Sequence, residues 1–300
     1  MQKRPPGRSG LETAPLVFGG NVFGWTADRE RSFALLDAFV DAGFNAIDTA
    51  DAYSRWVPGN IGGESETIIG EWLKARGRRD DVLILTKVGS AMGQNGDGDR
   101  HDLSPGWIER AVEDSLRRLQ TDVIDLYQAH WPDERTPQEE TLRAFDRLVQ
   151  AGKVRAIGVS NHTAEATSEA LAISAREGLA RYETLQPHYN LYSRSTFEGP
   201  LQDLAVAQGL GVITYFSLEA GFLTGKYRTA EEAAGTARGG GLKDKFDERG
   251  MRVLATLRAV AERNEATAAQ VALAWLLTRR GVTAPIVSAT SLEQLSDTLE

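Results

Sequence analysis

The 300-residue chain contains no cysteine. A disulfide framework and a thiolate metal site are therefore both excluded. Histidine is scarce: His101, His130, His162 and His188 are all there is. No two of them end neighbouring candidate strands, so a metal-dependent hydrolase or isomerase lacks the clustered ligands it would need, and no metal is expected. Positive charge is in deficit, with 34 Lys and Arg against 42 Asp and Glu and a net charge of −8. A general nucleic-acid binder needs a basic surface, although a local basic pocket for a phosphate remains allowed. No apolar run approaches a membrane span. The opening Met-Gln-Lys-Arg-Pro-Pro-Gly has no apolar stretch behind its charges, so no signal peptide and a cytoplasmic location are expected. What is present is 41% hydrophobic and 25% charged residues, the balance of a globular chain with a large core.

One rhythm repeats along the chain: a short apolar run, an amphipathic helix, another apolar run. Residues 82–87 (VLILTK) are apolar without alternation, as in a strand buried on both faces. With 16–18, 46–48, 125–129, 156–160, 184–186, 211–214 and 283–287 they make eight candidate strands. Helices are expected over 31–41, 165–176, 197–208 and 251–263, and after Ser104-Pro105 and Pro137. Gly43, Gly152, Gly209 and Gly281 follow helices, where a left-handed residue is wanted. Eight strand–helix units predict an α/β protein, a (β/α)8 TIM barrel forming one domain over 1–300. Two stretches, 91–102 and 229–241, break the rhythm after strand ends. They read either as active-site loops or as tolerated surface insertions.

Four polar residues share one kind of position. Asp48 ends the second strand, Tyr53 follows five residues later, Lys87 ends the third strand and His130 follows the fourth. Barrel strand ends converge on one mouth, so the four can meet. A hydride arriving at a carbonyl carbon leaves an oxygen that needs a proton. A tyrosine could give it if a lysine beside the phenol lowered its pKa from about 10. An aspartate would hold that lysine, and a neutral histidine would orient the carbonyl oxygen. Taken singly, each residue also has an ordinary structural reading as packing, cap, turn or solvated strand end. Trp25, Trp56 and Trp131 each follow a strand. They suggest an aromatic pocket wall for a hydrophobic or ring-bearing carbonyl or alcohol, or else packing under the loops.

The sequence resembles the aldo-keto reductase family. The segments that carry the resemblance are Arg8-Ser9-Gly10-Leu11-Glu12 leading to Phe18-Gly19-Gly20, Asp48-Thr49-Ala50-Asp51-Ala52-Tyr53, and Glu64-Ser65-Glu66 followed by Ile69-Gly70. To these add Leu126 to His130, Gly152 to Asn161, Gln186-Pro187-His188-Tyr189-Asn190, and Gly221 to Tyr227. The resemblance implies an N-terminal hairpin, long loops at the C-terminal face, and NADPH-dependent, reversible reduction of an aldehyde or ketone. Tyr53 would be the general acid, with Asp48, Lys87 and His130 completing the tetrad. Ser160, Asn161 and Gln186 would hold the nicotinamide carboxamide and Tyr215 would stack on its ring. Ser217, Leu218, Gly221 and Lys226 would wrap the pyrophosphate, with Arg238 as a further phosphate contact. Gly20, Asn21, Asp48 and Phe216 would complete the near end, and Ala289, Thr290, Ser291 and Gln294 the adenosine end.

Three departures stand out. The stretch 55–63 lengthens the loop after Tyr53. Ser291 stands where the family often has Arg or Lys to grip a 2′-phosphate, which leaves NAD open as cofactor. Thr298 replaces a common Asn. A second function carries the same tetrad: a cofactor-bound redox-sensing subunit with slow turnover, as in the channel-associated members of the family.

Overall fold

The computed structural model describes residues 1–90, 92 and 101–300. Eight parallel strands close into a barrel in chain order: β1 (Val17–Gly19), β2 (Ala46–Asp48), β3 (Leu83–Val88), β4 (Ile124–Ala129), β5 (Val154–Ser160), β6 (Tyr182–Gln186), β7 (Gly211–Thr214) and β8 (Val282–Val287). β1 pairs with both β2 and β8, which shuts the ring. All eight expected strands are present, within two residues of their expected ends.

Side chains alternate along each strand. Val17, Ala46, Leu85, Leu126, Ala156, Ile213, Ala284 and Ile286 form one apolar cluster inside the barrel. Their neighbours Phe18, Ile47, Ile84, Tyr127, Ile157, Val212 and Val287 join the larger cluster beneath the helices. Leu11 joins the inner cluster from the N-terminal hairpin. That hairpin is one antiparallel bridge, in which Arg4 and Thr13 exchange backbone bonds of 2.8 and 2.9 Å.

The helices are α1 (Arg29–Asp41), α2 (Glu64–Arg76), α3 (Pro105–Leu119), α4 (Gln138–Gln150), α5 (Ala164–Glu177), α6 (Pro200–Gln208), α7 (Ala230–Ala234), α8 (Glu248–Arg263), α9 (Ala268–Leu277) and α10 (Leu292–Leu299). Three details differ from expectation. Ser104 precedes α3 but makes no side-chain capping bond, whereas Pro137 stands just before α4 as expected. α6 starts at Pro200 instead of 197, because Gly199 with φ 99° turns the chain there and Phe197 is buried ahead of the helix. α9 was not anticipated. It is apolar over most of its surface, which hides its period, yet Thr267 and Gln270 form a full capping box at its start.

Of the stretch 91–102, only Met92, His101 and Asp102 are described; the rest lies outside the described residues. The stretch 229–241 folds into α7 and a short 3₁₀ turn at Gly239–Gly241. Ala233 and nearby Leu242 anchor it in a satellite core with Phe222, Leu254 and Leu257. Among the described residues, no helix is long and apolar enough to cross a membrane.

Candidate active site

The inward series of each strand continues past the apolar core into polar side chains at the C-terminal mouth. After Ala46 comes Asp48, after Leu85 comes Lys87, after Leu126 come Gln128 and His130, and after Ala156 comes Ser160. Two-residue periodicity thus aims the functional groups at one point.

At that point Lys87 is buried, with its Nζ 2.6 Å from Asp48 Oδ2, 2.8 Å from Tyr53 Oη and 2.8 Å from the carbonyl oxygen of Thr49. The Tyr53 hydroxyl also lies 3.3 Å from Asp48 Oδ2. Asp48 Oδ1 accepts from Gln186 Nε2 at 2.9 Å, so both carboxylate oxygens are engaged. The His130 ring sits 5.9 Å from the Tyr53 ring, and its Nδ1 is 3.0 Å from Ser90 Oγ. Neither Ser90 nor Gln128 was singled out from sequence. Gln128 follows the inward series of β4, whereas Ser90 lies two residues beyond β3 and carries no local signal.

The electrostatics differ from the sequence expectation at one group. Burial, reinforced by the Asp48 carboxylate, pushes the Tyr53 phenol well above 10, although Lys87 touches it. The Tyr53 phenol is thus held protonated. Burial lowers Lys87, opposed by Asp48. Burial and the nearby Lys87 charge hold His130 well below 6.5, so its ring is neutral at physiological pH.

A second polar arc lies beside the tetrad. Asn161, with φ 60°, donates to the His130 carbonyl at 2.9 Å and accepts from Tyr215 Oη at 2.7 Å. Ser160 Oγ donates to the Gln186 carbonyl at 2.9 Å. In the turn after β7, Phe216, Glu219, Ala220 and Gly221 all have positive φ. That run is strained for residues other than glycine. Phe216 is half exposed, and Lys226 Nζ lies over the Tyr227 ring at 4.8 Å. Across the mouth, Arg238 lies 5.5 Å above the Trp25 ring, and with the Asn21 amide oxygen turned to it, Nη2 donates at 3.2 Å. The same Asn21 amide is 2.8 Å from Ser288 Oγ. Gly20 packs against this edge, where a Cβ would meet the Asp48 carbonyl at 3.0 Å.

At the far end, Ala289 is buried, and Gln294 accepts from Thr290 N and Oγ1, each at 3.0 Å. Ser291 caps α10 by accepting from Gln294 N at 3.2 Å. Glu293 and Asp297 lie beside Ser291 and Gln294, and Arg31 of α1 donates to the Thr290 carbonyl at 3.3 Å. Arg31 was not foreseen, because 259 residues separate it from its partner.

The aromatic residues gather at the mouth. Trp25 and Trp56 meet edge to face at 5.6 Å, and Trp56 lies 6.1 Å from Tyr53. Trp131 stacks between His130 at 6.2 Å and His101 at 5.4 Å. Trp56 and Trp131 are 47% and 38% exposed, more than packing under a loop would leave them.

An eight-stranded α/β barrel with an Asp–Tyr–Lys–His cluster at its mouth and amide and hydroxyl side chains beside it fits a nicotinamide oxidoreductase, since the donor set suits a carboxamide and a diphosphate. Comparison with known proteins carries this further. The model of the aldo/keto reductase family matches residues 15–300, and the chain belongs to that family. It is 36% identical to the uncharacterized oxidoreductase YrpG of Bacillus subtilis, over 98% of this chain and 89% of that one. It is 33% identical to a probable voltage-gated potassium channel subunit beta of Oryza sativa, over 100% and 90%. It is also 33% identical to norsolorinic acid reductase stcV of Emericella nidulans, over 96% and 73%. The chain is therefore an NAD(P)H-dependent oxidoreductase acting on a small-molecule carbonyl.

Proposed function

We propose that the protein reversibly reduces an aldehyde or ketone with a ring-bearing or hydrophobic body, using NADPH, with Tyr53 as proton donor. The contact of Lys87 Nζ with both Tyr53 Oη and Asp48 Oδ2 carries this reading. The cofactor would be held by Ser160, Asn161, Gln186 and Tyr215 at the nicotinamide, by the turn after β7 with Gly20, Asn21 and Arg238 at the diphosphate, and by Ala289 to Gln294 at the adenosine. When bound, it supplies the hydride.

The chain's own residues do the rest. His130, neutral and fixed by Ser90, orients the carbonyl oxygen beside Tyr53. The oxygen then takes the phenol proton. The phenolate left behind is stabilised by Lys87 as it forms, and Asp48 keeps that ammonium charged and in place. Preorganised charge of this kind is worth more in a site from which water is excluded. Trp25, Trp56 and Trp131 would line the substrate's path and favour a flat, apolar body. The Emericella relative is named as a norsolorinic acid reductase, which supports reduction as the working direction. The Lys87–Tyr53 contact also serves the reverse direction, since a phenolate accepts the proton of an alcohol.

The test follows NADPH oxidation with an aromatic aldehyde, with NADH in parallel, for wild type and Tyr53→Phe. Turnover that collapses in the variant while cofactor binding persists supports the reading. Tight NADPH binding without turnover of any carbonyl would favour a redox-sensing subunit, the direction in which the Oryza relative's name points. Absence of cofactor binding would overturn both.

A further inference from the structure

One carboxylate outside the tetrad gathers three segments of the chain. Glu219, in the strained turn after β7, is 5% exposed. Its Oε2 is 3.0 Å from His188 Nε2 and 2.9 Å from Ser193 Oγ, and it accepts from Asn190 Nδ2 as well. Its Oε1 accepts from Lys245 Nζ at 2.8 Å. His188, Asn190 and Ser193 follow β6, whereas Lys245 belongs to the long segment between α7 and α8. The same His188 ring stacks on Tyr215, with centroids 5.4 Å apart and planes 26° apart, and lies edge-on to Phe216 at 5.4 Å. A buried carboxylate is costly unless it is saturated with donors, and this one has four. Burial alone would raise the Glu219 pKa, but His188, Lys245 and Asn190 bring it down to about 2.

Nothing in the proton-transfer chemistry uses Glu219. It lies instead where the segment after β6, which carries His188, meets Lys245 of the long loop. We propose that Glu219 is a positioning residue. Through Lys245 it ties the long loop after β7 to the barrel, and through His188 it fixes the ring of Tyr215, so loop attachment and cofactor retention are set by one carboxylate. The inference rests on the proposed placement of the nicotinamide against Tyr215. Its left-handed φ of 46° and that of Ala220 fit the same role. A strained turn persists only where its surroundings hold it, and here the side chain supplies the hold. Linkage then requires that a bound cofactor protect the loop as much as the attached loop retains the cofactor.

The experiment uses the full chain with three substitutions, Glu219→Gln, Lys245→Met and His188→Phe. The first readout is trypsin cleavage within the loop, at Arg238 and Lys243, without cofactor. The second is the release rate of NADPH by stopped-flow fluorescence. Loss of one charge-assisted bond predicts about tenfold faster cleavage and release for Glu219→Gln and Lys245→Met. The double variant should be no worse than Glu219→Gln alone. His188→Phe keeps a ring behind Tyr215 but loses the bond to Glu219, so it should speed release while leaving cleavage near the wild-type rate. Unchanged cleavage in Lys245→Met, or additive effects in the double variant, would overturn the tether. Unchanged release in His188→Phe would overturn the link to Tyr215. A wild type that never binds NADPH would instead break the functional reading, and the cleavage measurement would still decide the tether.

Discussion

Tyr53 Oη and Lys87 Nζ are 2.8 Å apart, yet burial, reinforced by the Asp48 carboxylate beside the hydroxyl, holds the phenol above its ordinary pKa. In the proposed mechanism the pair would pass its proton only as negative charge appears on the substrate oxygen. Lys87→Met should therefore lower kcat for carbonyl reduction by about 10²–10⁴, the span of one general-acid group. The Kd for NADPH should stay within a few-fold. Single-turnover kinetics with an aromatic aldehyde would check this, and a loss confined to cofactor binding would assign Lys87 a structural role.

The same electrostatics fix the pH response. The phenol of Tyr53 is raised and the His130 ring is kept neutral, so neither changes state between pH 6.5 and 8. Reduction should be flat over that range, with no histidine step, while alcohol oxidation, which needs the phenolate, should climb as pH rises. Stability should behave differently below neutrality. Burial lowers the folded pKa of both His130 and His162 beneath 6.5. The unfolded chain therefore takes up their protons first, and stability that is complete above about pH 6.5 falls as the pH drops below it. Denaturation midpoints measured from pH 7.5 down to 5 should decline, and less so in His162→Phe.

Much of this was legible in the sequence, and for a physical reason. Buried parallel strands must be apolar on both faces, so 82–87 reads as a strand without help from its surroundings. The residues at strand ends inherit their direction from the two-residue period, which is why the sequence alone brings Asp48 and Lys87 together. Tyr53 and His130 lie just beyond strands and needed the barrel's convergence as well. What sequence could not supply is tertiary: Arg31 beside Thr290, Ser90 behind His130, and Glu219 between His188 and Lys245 are contacts between segments with no local signal. The sign of the Tyr53 shift depends on how deeply the phenol is buried and on the Asp48 carboxylate beside it, neither of which residue spacing shows.

Close backbone approach outside the mouth sets a different kind of limit. A Cβ on Gly70 of α2 would lie 2.0 Å from the Arg118 carbonyl oxygen and 2.7 Å from the Leu119 carbonyl carbon in α3. Backbone cannot yield as a flexible side chain can. Gly70→Ala gains helix propensity of up to about 1 kcal/mol, yet forcing α2 and α3 apart costs about 1–3 kcal/mol or more. The expected result is net destabilisation in urea titration, with kcat of the remaining folded protein unchanged. A more stable variant would show that the two helices separate freely.

The aromatic mouth makes a claim about substrates. Trp56 touches Tyr53 and Trp25 but is half exposed, as an empty pocket wall would be. Trp56→Ala should raise KM for aromatic aldehydes by about tenfold, the scale of one lost aromatic contact plus its buried area. KM for a short aliphatic aldehyde should move little. Equal effects on both substrates would mean that Trp56 supports the loop and not the ligand.

With the cofactor placed as proposed, the choice between NADPH and NADH would turn on charge around Ser291. Ser291 removes the cation that often sits there, and Glu293 and Asp297 add negative charge that would repel a 2′-phosphate. Arg31 opposes them. Its guanidinium reaches the Thr290 carbonyl, and no carboxylate pairs with it among the described residues. The N-terminus of α10 points its free amides at the same place. If Arg31 is the cation that favours NADPH, Arg31→Ala should raise KM for NADPH by about tenfold, the strength of one charge-assisted bond at a partly exposed site. KM for NADH, which carries no phosphate there, should remain within about twofold. The preference should also weaken with salt in the wild type, since exposed charges are screened over about 10 Å at 0.1 M ionic strength. Ser291→Arg is the converse change and should tighten NADPH despite the lost cap, which costs about 1 kcal/mol of helix stability. If Arg31→Ala leaves the ratio of the two KM values untouched, discrimination does not reside in Arg31, and the hydroxyls of Thr290 and Ser291 are the groups to test next.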